Sequence, residues 1–257
     1  MPRTPRSQRV EAIVLKHSDF GEADRLLTLY TREQGKLRAI AKGARNPRSR
    51  KAGHIEPFTR VSLQLAKGRN LHIVSQAEAK DSHEALTEDL VSLSYASYIV
   101  ELLDKFTFDG EENRGLYRLL RDTLKRLSQQ EYSEIVVRYY EIRLLDFLGF
   151  RPELQKCLNC EKEVQAQDQY FSTQQGGVLC PDCGSIDPAA HPISMDALKY
   201  LRHFQRSSYS DASRARIKKS VMLELETLMD HYLTYLLERQ LNSPRFLRRM
   251  RKVADEE

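Results

Sequence analysis

The chain has 257 residues, 40% hydrophobic and 30% charged, enough to bury a sizeable core in one large domain or two to three small ones. No apolar run approaches the roughly 18 residues of a membrane span, and only residues 12–15 form an apolar run behind the basic N-terminus, too short for a signal-peptide core. The net charge of +5 is uneven: residues 1–80 hold 17 Lys and Arg against 7 Asp and Glu, and the rest hold 24 against 29, as expected of a polyanion-binding module joined to a mildly acidic protein-contact body.

The first eighty residues read as five short strands, at 10–16, 26–31, 36–42, 58–65 and 71–77. Turn chemistry separates them at Asp19-Phe20-Gly21, Glu33-Gln34-Gly35 and Lys67-Gly68-Arg69-Asn70. The fourth alternates cleanly, with Val61, Leu63 and Leu65 on one face and Arg60, Ser62 and Gln64 on the other. Five such strands suit a small closed barrel, and the Greek-key OB-fold is the first candidate; periodicity alone leaves an SH3-like barrel open. In the third strand, period two turns Leu37, Ala39 and Ala41 inward and Lys36, Arg38 and Lys42 outward beside Ile40. The loop at 43–53 adds Arg45, Arg48, Arg50 and Lys51 with no acid. A continuous cationic strip fed by a flexible basic loop is the expected result, suited to tracking a phosphate backbone.

From about residue 82 the period becomes helical. Leu86, Leu90, Leu93, Val100 and Leu103 share one stripe, and Leu116, Leu119, Leu120, Leu124 and Leu127 share another. A third helix runs from Ser133, a candidate N-cap, to Leu148, and Gly149 and Pro152 stop it. These stripes predict the seams of a helical bundle.

The only four cysteines follow, as Cys157-Leu158-Asn159-Cys160 and Cys180-Pro181-Asp182-Cys183. Two C-x2-C knuckles at this separation match a four-thiolate zinc site; two disulfides or four unrelated buried thiols are the alternatives. Nothing else points to secretion, so one structural Zn2+ per chain is expected, in the reducing cytoplasm. A closed four-Cys shell leaves no open position for catalysis. Gly184 suits the open backbone of such a knuckle, and Tyr170-Phe171-Ser172, Gln175-Gly176-Gly177 and Val178-Leu179 read as a hairpin that brings the knuckles together. Beyond it, Ser194 begins a helix through Phe204, and a long last helix carries Leu225, Leu228, Tyr232 and Leu236.

Catalytic motifs fail on inspection. His54-Ile55-Glu56 resembles the H-x-E of zinc deaminases, but Cys157 lies far downstream and follows Lys156. His83-Glu84 opens a metalloprotease-like motif that Thr87 breaks. Gly35-Lys36-Leu37 lacks the rest of a Walker A loop, and no G-x-S-x-G elbow occurs. No enzymatic activity is expected.

The segments Gly21-Glu22-Ala23-Asp24-Arg25, Thr31-Arg32-Glu33-Gln34-Gly35-Lys36-Leu37 and Ala41-Lys42-Gly43-Ala44-Arg45 closely resemble the RecO family of bacterial recombination mediators. Pro57-Phe58, Leu71-His72 and Gln76-Ala77-Glu78 continue the pattern, and Ser243-Pro244-Arg245-Phe246-Leu247 resembles the basic-aromatic segment after that family's last helix. The resemblance implies an α+β chain: a five-stranded OB-fold barrel (1–80), a helical domain (81–150), a four-Cys zinc module inserted in it (151–190) and closing helices (191–257). It also implies a DNA repair and homologous recombination mediator. Such a protein binds single- and double-stranded DNA, anneals complementary strands, joins RecR to load RecA, and contacts the acidic tail of single-strand-binding protein through its helical body.

Carried over residue by residue, Lys36, Arg38 and Lys42 match the family's basic strand and Arg45 its basic loop, and Arg25 joins the candidate set from the first matched segment. Arg48, Arg50 and Lys51 are assigned by charge alone. For the tail, Arg118, Arg121, Lys125 and Arg126 flank a leucine stripe, and 214–219 is a second basic stretch. The chain has no tryptophan, and Phe20, Tyr30 and Phe58 are the barrel's few aromatics. Phosphate contacts should therefore outweigh base stacking. A zinc-containing RNA-binding or ribosome-associated factor is the competing expectation; it would discriminate RNA from DNA through the 2′-hydroxyl.

Overall fold

The computed structural model describes residues 7–129 and 133–237, without the Ser133 side chain. These form two compact units, divided between 129 and 133. The division falls inside the stretch expected as one helical domain at 81–150.

In the first unit, β1 (Ser7–Phe20), β2 (Asp24–Thr31), β3 (Gly35–Ala41), β4 (Arg60–Lys67) and β5 (His72–Asp81) close a barrel in the order β1-β2-β3-β5-β4. This is the expected OB-fold, with β3 and β5 the parallel pair. β1 is long enough to serve two neighbours. Residues 7–13 lie along β4, residues 12–20 along β2, and a bulge between Val14 and Lys16 turns the corner. Period two fills the interior as expected, with Leu37, Ala39 and Ala41 from β3 and Val61, Leu63 and Leu65 from β4.

Two details differ from the sequence pattern. β4 begins at Arg60, because Phe58 is held at φ 69°, outside the strand region, while its N–H donates to the Val14 carbonyl at 2.8 Å. The 43–53 loop is not a free arm. Its backbone runs through successive hydrogen-bonded turns, Asn46 to Gly43, Ser49 to Asn46 and His54 to Lys51. Ala44 and Ile55, fully buried, insert its two ends into the barrel core.

Against this barrel packs α2 (Leu90–Phe106), and α1 (Ala85–Glu88) and α3 (Arg114–Ser128) pack on α2. Asp89 and Asn113 cap α2 and α3 by accepting from the N–H of Ser92 and Leu116. The segment between them runs over the start of β3, where the Gly110 N–H donates to the Lys36 carbonyl at 2.8 Å. Gly35 permits that approach twice over: it has φ 63°, and a Cβ there would lie 1.8 Å from the Glu111 carbonyl oxygen.

The second unit holds α4 (Ser133–Leu148), β6 (Gln169–Ser172), β7 (Gly177–Leu179), α5 (Pro181–Gly184), β8 (Ala190–Ile193), α6 (Met195–Arg206), α7 (Tyr209–Ala212) and α8 (Lys219–Leu237). α4, α6 and α8 pack on one another, and Ser194 caps α6 through the Ala197 N–H. The leucine stripes therefore belong to two helical packs, α2 and α3 in one unit and α4, α6 and α8 in the other. Residues 243–247, singled out in the sequence, lie outside the described residues.

Candidate metal centre and nucleic-acid interface

The hairpin forms as expected, with Tyr170 opposite Leu179 and Phe171 opposite Val178. The first knuckle is stitched to it: the Leu158 N–H donates to the Val178 carbonyl at 3.0 Å, and the Val178 N–H to the Glu153 carbonyl at 2.9 Å. The sulfurs of Cys157, Cys160, Cys180 and Cys183 consequently lie within 4.8 Å of one another. The Cys160 and Cys180 sulfurs are 3.8 Å apart, matching the edge of a tetrahedron whose metal–sulfur bonds are about 2.3 Å.

Burial would raise the Cys157 thiol, but N–H groups of Cys160, Cys180 and Asn159 hold it down to about 6. Bonding to Cys180 pushes Cys183 up to about 12. The sulfurs thus concentrate negative charge they cannot all carry alone, and a divalent cation at their centre lets all four ionise. The donor set and spacing fit one metal ion.

The knuckles are not equivalent. Glu161 follows the first at φ 60°, whereas Gly184 follows the second in a helical turn. Gly184 is there for space and not for backbone freedom: a Cβ would meet the Tyr170 ring at 2.3–2.5 Å.

On the barrel, the expected cationic strip divides. Lys36 does point away from the interior, but α2 covers it; its ammonium is buried and bonds the Asp104 carbonyl at 2.5 Å and Oδ1 at 3.2 Å. Lys16 holds the other Asp104 oxygen at 2.6 Å. Arg38 is exposed, 3.7 Å from Asp109. Arg25 is half-buried and donates to Glu56 at 2.7 Å. Burial would raise Glu56, but Arg25 and His17 keep it below the usual carboxylate range. Arg45 pairs with Asp19 at 3.2 Å and donates to the carbonyl of Glu22. Lys42, Arg48 and Arg50 are exposed, and among the described residues no salt bridge is formed by any of them. Lys51 donates to the Val74 carbonyl at 3.3 Å. The acids that neutralise the strip were missed in the sequence. Asp104 and Asp109 arrive from α2 and the segment after it, and no local signal marks them.

The residues of the failed catalytic motifs have structural partners. His54 accepts from the Ala79 N–H at 3.4 Å, and buried His83 sits 3.3 Å from Asp81.

On α3, Leu116, Leu119, Leu120, Leu124 and Leu127 are buried, leaving Arg118 and Lys125 on an exposed face. Arg121 pairs with Asp122 at 2.7 Å, and Arg126 is half-buried. The second basic stretch differs: Arg214, Arg216 and Ile217 line a cavity of about 700 Å3 with Ile135, Met222 and Glu134. Arg214 lies 3.9 Å from Asp211.

Comparison with known proteins covers most of the chain. Residues 6–83 match the family described as "Recombination protein O N terminal", and residues 87–245 match "Recombination protein O C terminal". A DNA repair protein RecO from Roseiflexus sp. (strain RS-1) is 41% identical over 96% of this chain and 87% of its own length. Proteins of the same name from Desulforamulus reducens and Desulforudis audaxviator are 36% and 38% identical, over 95% and 94% of this chain and 95% and 96% of their own.

Proposed function

The chain belongs to the RecO family of DNA repair proteins, and from that premise we propose that it is a recombination mediator acting without catalytic turnover. In this reading it binds single- and double-stranded DNA, anneals complementary strands, and helps RecR load RecA onto DNA coated by single-strand-binding protein. The observation that carries the reading is the 43–53 loop of the barrel. Ala44 and Ile55 anchor it in the core, and it presents Arg48 and Arg50 to solvent with no acid in its own sequence. Fixed cations on a closed barrel attract a phosphate backbone, and neutralising two strands at once lowers their mutual repulsion.

Arg38, Lys42 and Arg45 extend the cationic surface from β3, with their acid neighbours displaced by phosphate. Arg25 and Lys36 contribute through the position of the strands that carry them. The metal is zinc, held by Cys157, Cys160, Cys180 and Cys183; its role is structural. The acidic, aromatic-ended tail of single-strand-binding protein docks at the cavity between Ile135 and Ile217, its carboxylates on Arg214 and Arg216 and its aromatic ring among the apolar side chains. This is a better seat than Arg118, Arg121, Lys125 and Arg126, whose neighbouring leucines are buried. The protein works in the reducing cytoplasm with the nucleoid; among the described residues no helix is long and apolar enough to cross a membrane.

The test is strand annealing on DNA pre-coated with single-strand-binding protein, with and without RecR. Faster annealing with the protein than without, modulated by RecR, is expected. Equal rates in its absence sink the proposal, and preferential capture of RNA over DNA in competition transfers it to the RNA-binding class.

A further inference from the structure

Not all of the barrel's exposed cations belong to the β3 strip. Arg9 on β1, Arg50 and Lys51 on the loop, and Gln64 on β4 line one groove of about 390 Å3, floored by residues of β5. In the barrel order β1-β2-β3-β5-β4 the groove spans β1, β4 and β5, and its lining includes no residue of β3. Its cations come from two segments far apart in sequence, β1 and the 43–53 loop, and lie beside uncharged amides: Gln64 and Gln76 are register partners.

Two bonds fix the cations in place. The Arg9 Nε donates to the Ser62 hydroxyl at 2.8 Å, and Lys51 reaches the Val74 carbonyl, which ties the loop to β5. One carboxylate lies in the groove. Glu78 is held by Arg9 at 3.0 Å and by Lys80 at 2.7 Å, and all three side chains are substantially exposed. Exposed pairs of this kind are weak and yield to a competing phosphate. On β3 Lys36 is instead buried and committed to Asp104, while Arg38 and, just after the strand, Arg45 hold exposed pairs of the same weak kind with Asp109 and Asp19.

Resting on the proposed DNA-binding function, we propose that this groove on β1, β4 and β5 seats the phosphodiester backbone of single-stranded DNA, with Arg9, Arg50 and Lys51 as the phosphate contacts. The amides of Gln64 and Gln76 donate to the backbone and sugar oxygens between those contacts. No aromatic side chain lines the groove, so binding there is electrostatic and tolerant of sequence. Arg38 and Lys42 do not line this groove and remain available to a second strand, and annealing then requires only that two polyanions meet on one barrel.

The experiment measures affinity for a labelled oligo-dT by fluorescence anisotropy across a salt series. It compares wild type, Arg9→Glu with Arg50→Glu, Arg38→Glu with Lys42→Glu, and Glu78→Gln. The groove variant should lose at least tenfold in affinity, and its salt slope should shrink by about 1.4, at roughly 0.7 per lost single-strand contact. Glu78→Gln should bind more tightly than wild type. Where the double charge reversal fails to fold by circular dichroism, Arg50→Ala, at an exposed loop position, should still lower the slope by about 0.7. Wild-type affinity and slope in the groove variants, with loss confined to the β3 variant, overturn the groove while DNA binding stands. Failure of the wild-type protein to bind oligo-dT overturns the DNA-binding reading itself.

Discussion

Lys36 and Asp104 meet across 68 positions of sequence, the ammonium of one bonding both the carbonyl and, at 3.2 Å, the carboxylate of the other. The contact pins α2 to the outer face of β3. Burial would raise Asp104, but bonds from Lys16 and attraction from Lys36 hold it below the usual carboxylate range. A depressed carboxylate stabilises the fold above its unfolded pKa, and that contribution is lost as pH falls through the folded value. Replacing Lys36 by Met should therefore cost about 1–3 kcal/mol at neutral pH, and the difference from wild type should close below about pH 3.9. Urea melts at several pH values measure it, and an unchanged midpoint at neutral pH would show that the pair does not hold α2.

His83 sets a second pH dependence. Burial lowers its pKa, with Asp81 opposing and Arg60 and Lys125 assisting. The unfolded chain thus binds a proton that the folded chain refuses, so stability present above about pH 6.5 declines as pH falls below it. Asn tolerates the positive φ of 51° at this position. His83→Asn should flatten the wild-type decline between pH 6.5 and 5 in thermal melts; parallel curves would refute the assignment.

The purified protein should carry about one zinc per chain, and Cys160→Ser should lose it. Gly184→Ala removes no ligand but drives a methyl into the Tyr170 ring, so it should destabilise the module by about 1–3 kcal/mol and weaken metal retention against a chelator. Metal analysis separates the two: Cys160→Ser protein arrives empty, Gly184→Ala protein arrives loaded and loses its zinc faster. Full wild-type retention in the alanine variant would count against the contact.

The cavity beside α8 offers a partner test. Arg214→Glu with Arg216→Glu should weaken binding of an acidic, aromatic-ended peptide at least tenfold and abolish annealing of coated DNA, while annealing of bare DNA continues. Arg118→Glu with Lys125→Glu should leave peptide affinity within about twofold. Calorimetric titration of the peptide measures both, and the reverse ranking would move the docking site to α3.

Much of this architecture could be read in advance because its signals are local. Alternation in β3 and β4 placed Leu37, Ala39, Leu63 and Leu65 inside the barrel, cysteine spacing gathered the four sulfurs, and Ser194 capped α6. What escaped was set by distant partners. Period two shows that Lys36 leaves the barrel interior, but cannot show that α2 waits outside with Asp104. A run of Arg and Lys without acids reads as a flexible loop, and nothing in it shows that Ala44 and Ile55 bury its ends. The leucine stripes predict helices, and the same stripes do not say that α2 and α3 pack with the barrel while α4 packs with α6.

The carbonyls just before the first knuckle are gripped from α6: the Gln205 amide donates to Pro152 at 2.9 Å, and the Arg202 guanidinium forks onto Leu154 at 2.6 and 2.8 Å. The chain that leaves α4 and returns at Ser194 is thereby tied near its base, independently of the cysteines farther out. Such a segment can open as a separate cooperative unit without dismantling the helices that frame it. Amide hydrogens of β6 and β7 would then exchange through a local opening set by metal occupancy, while those of α4 and α6 keep the slower exchange of the helical pack. Loss of metal would expose this stretch to proteases as one loop and leave the surrounding helices assembled.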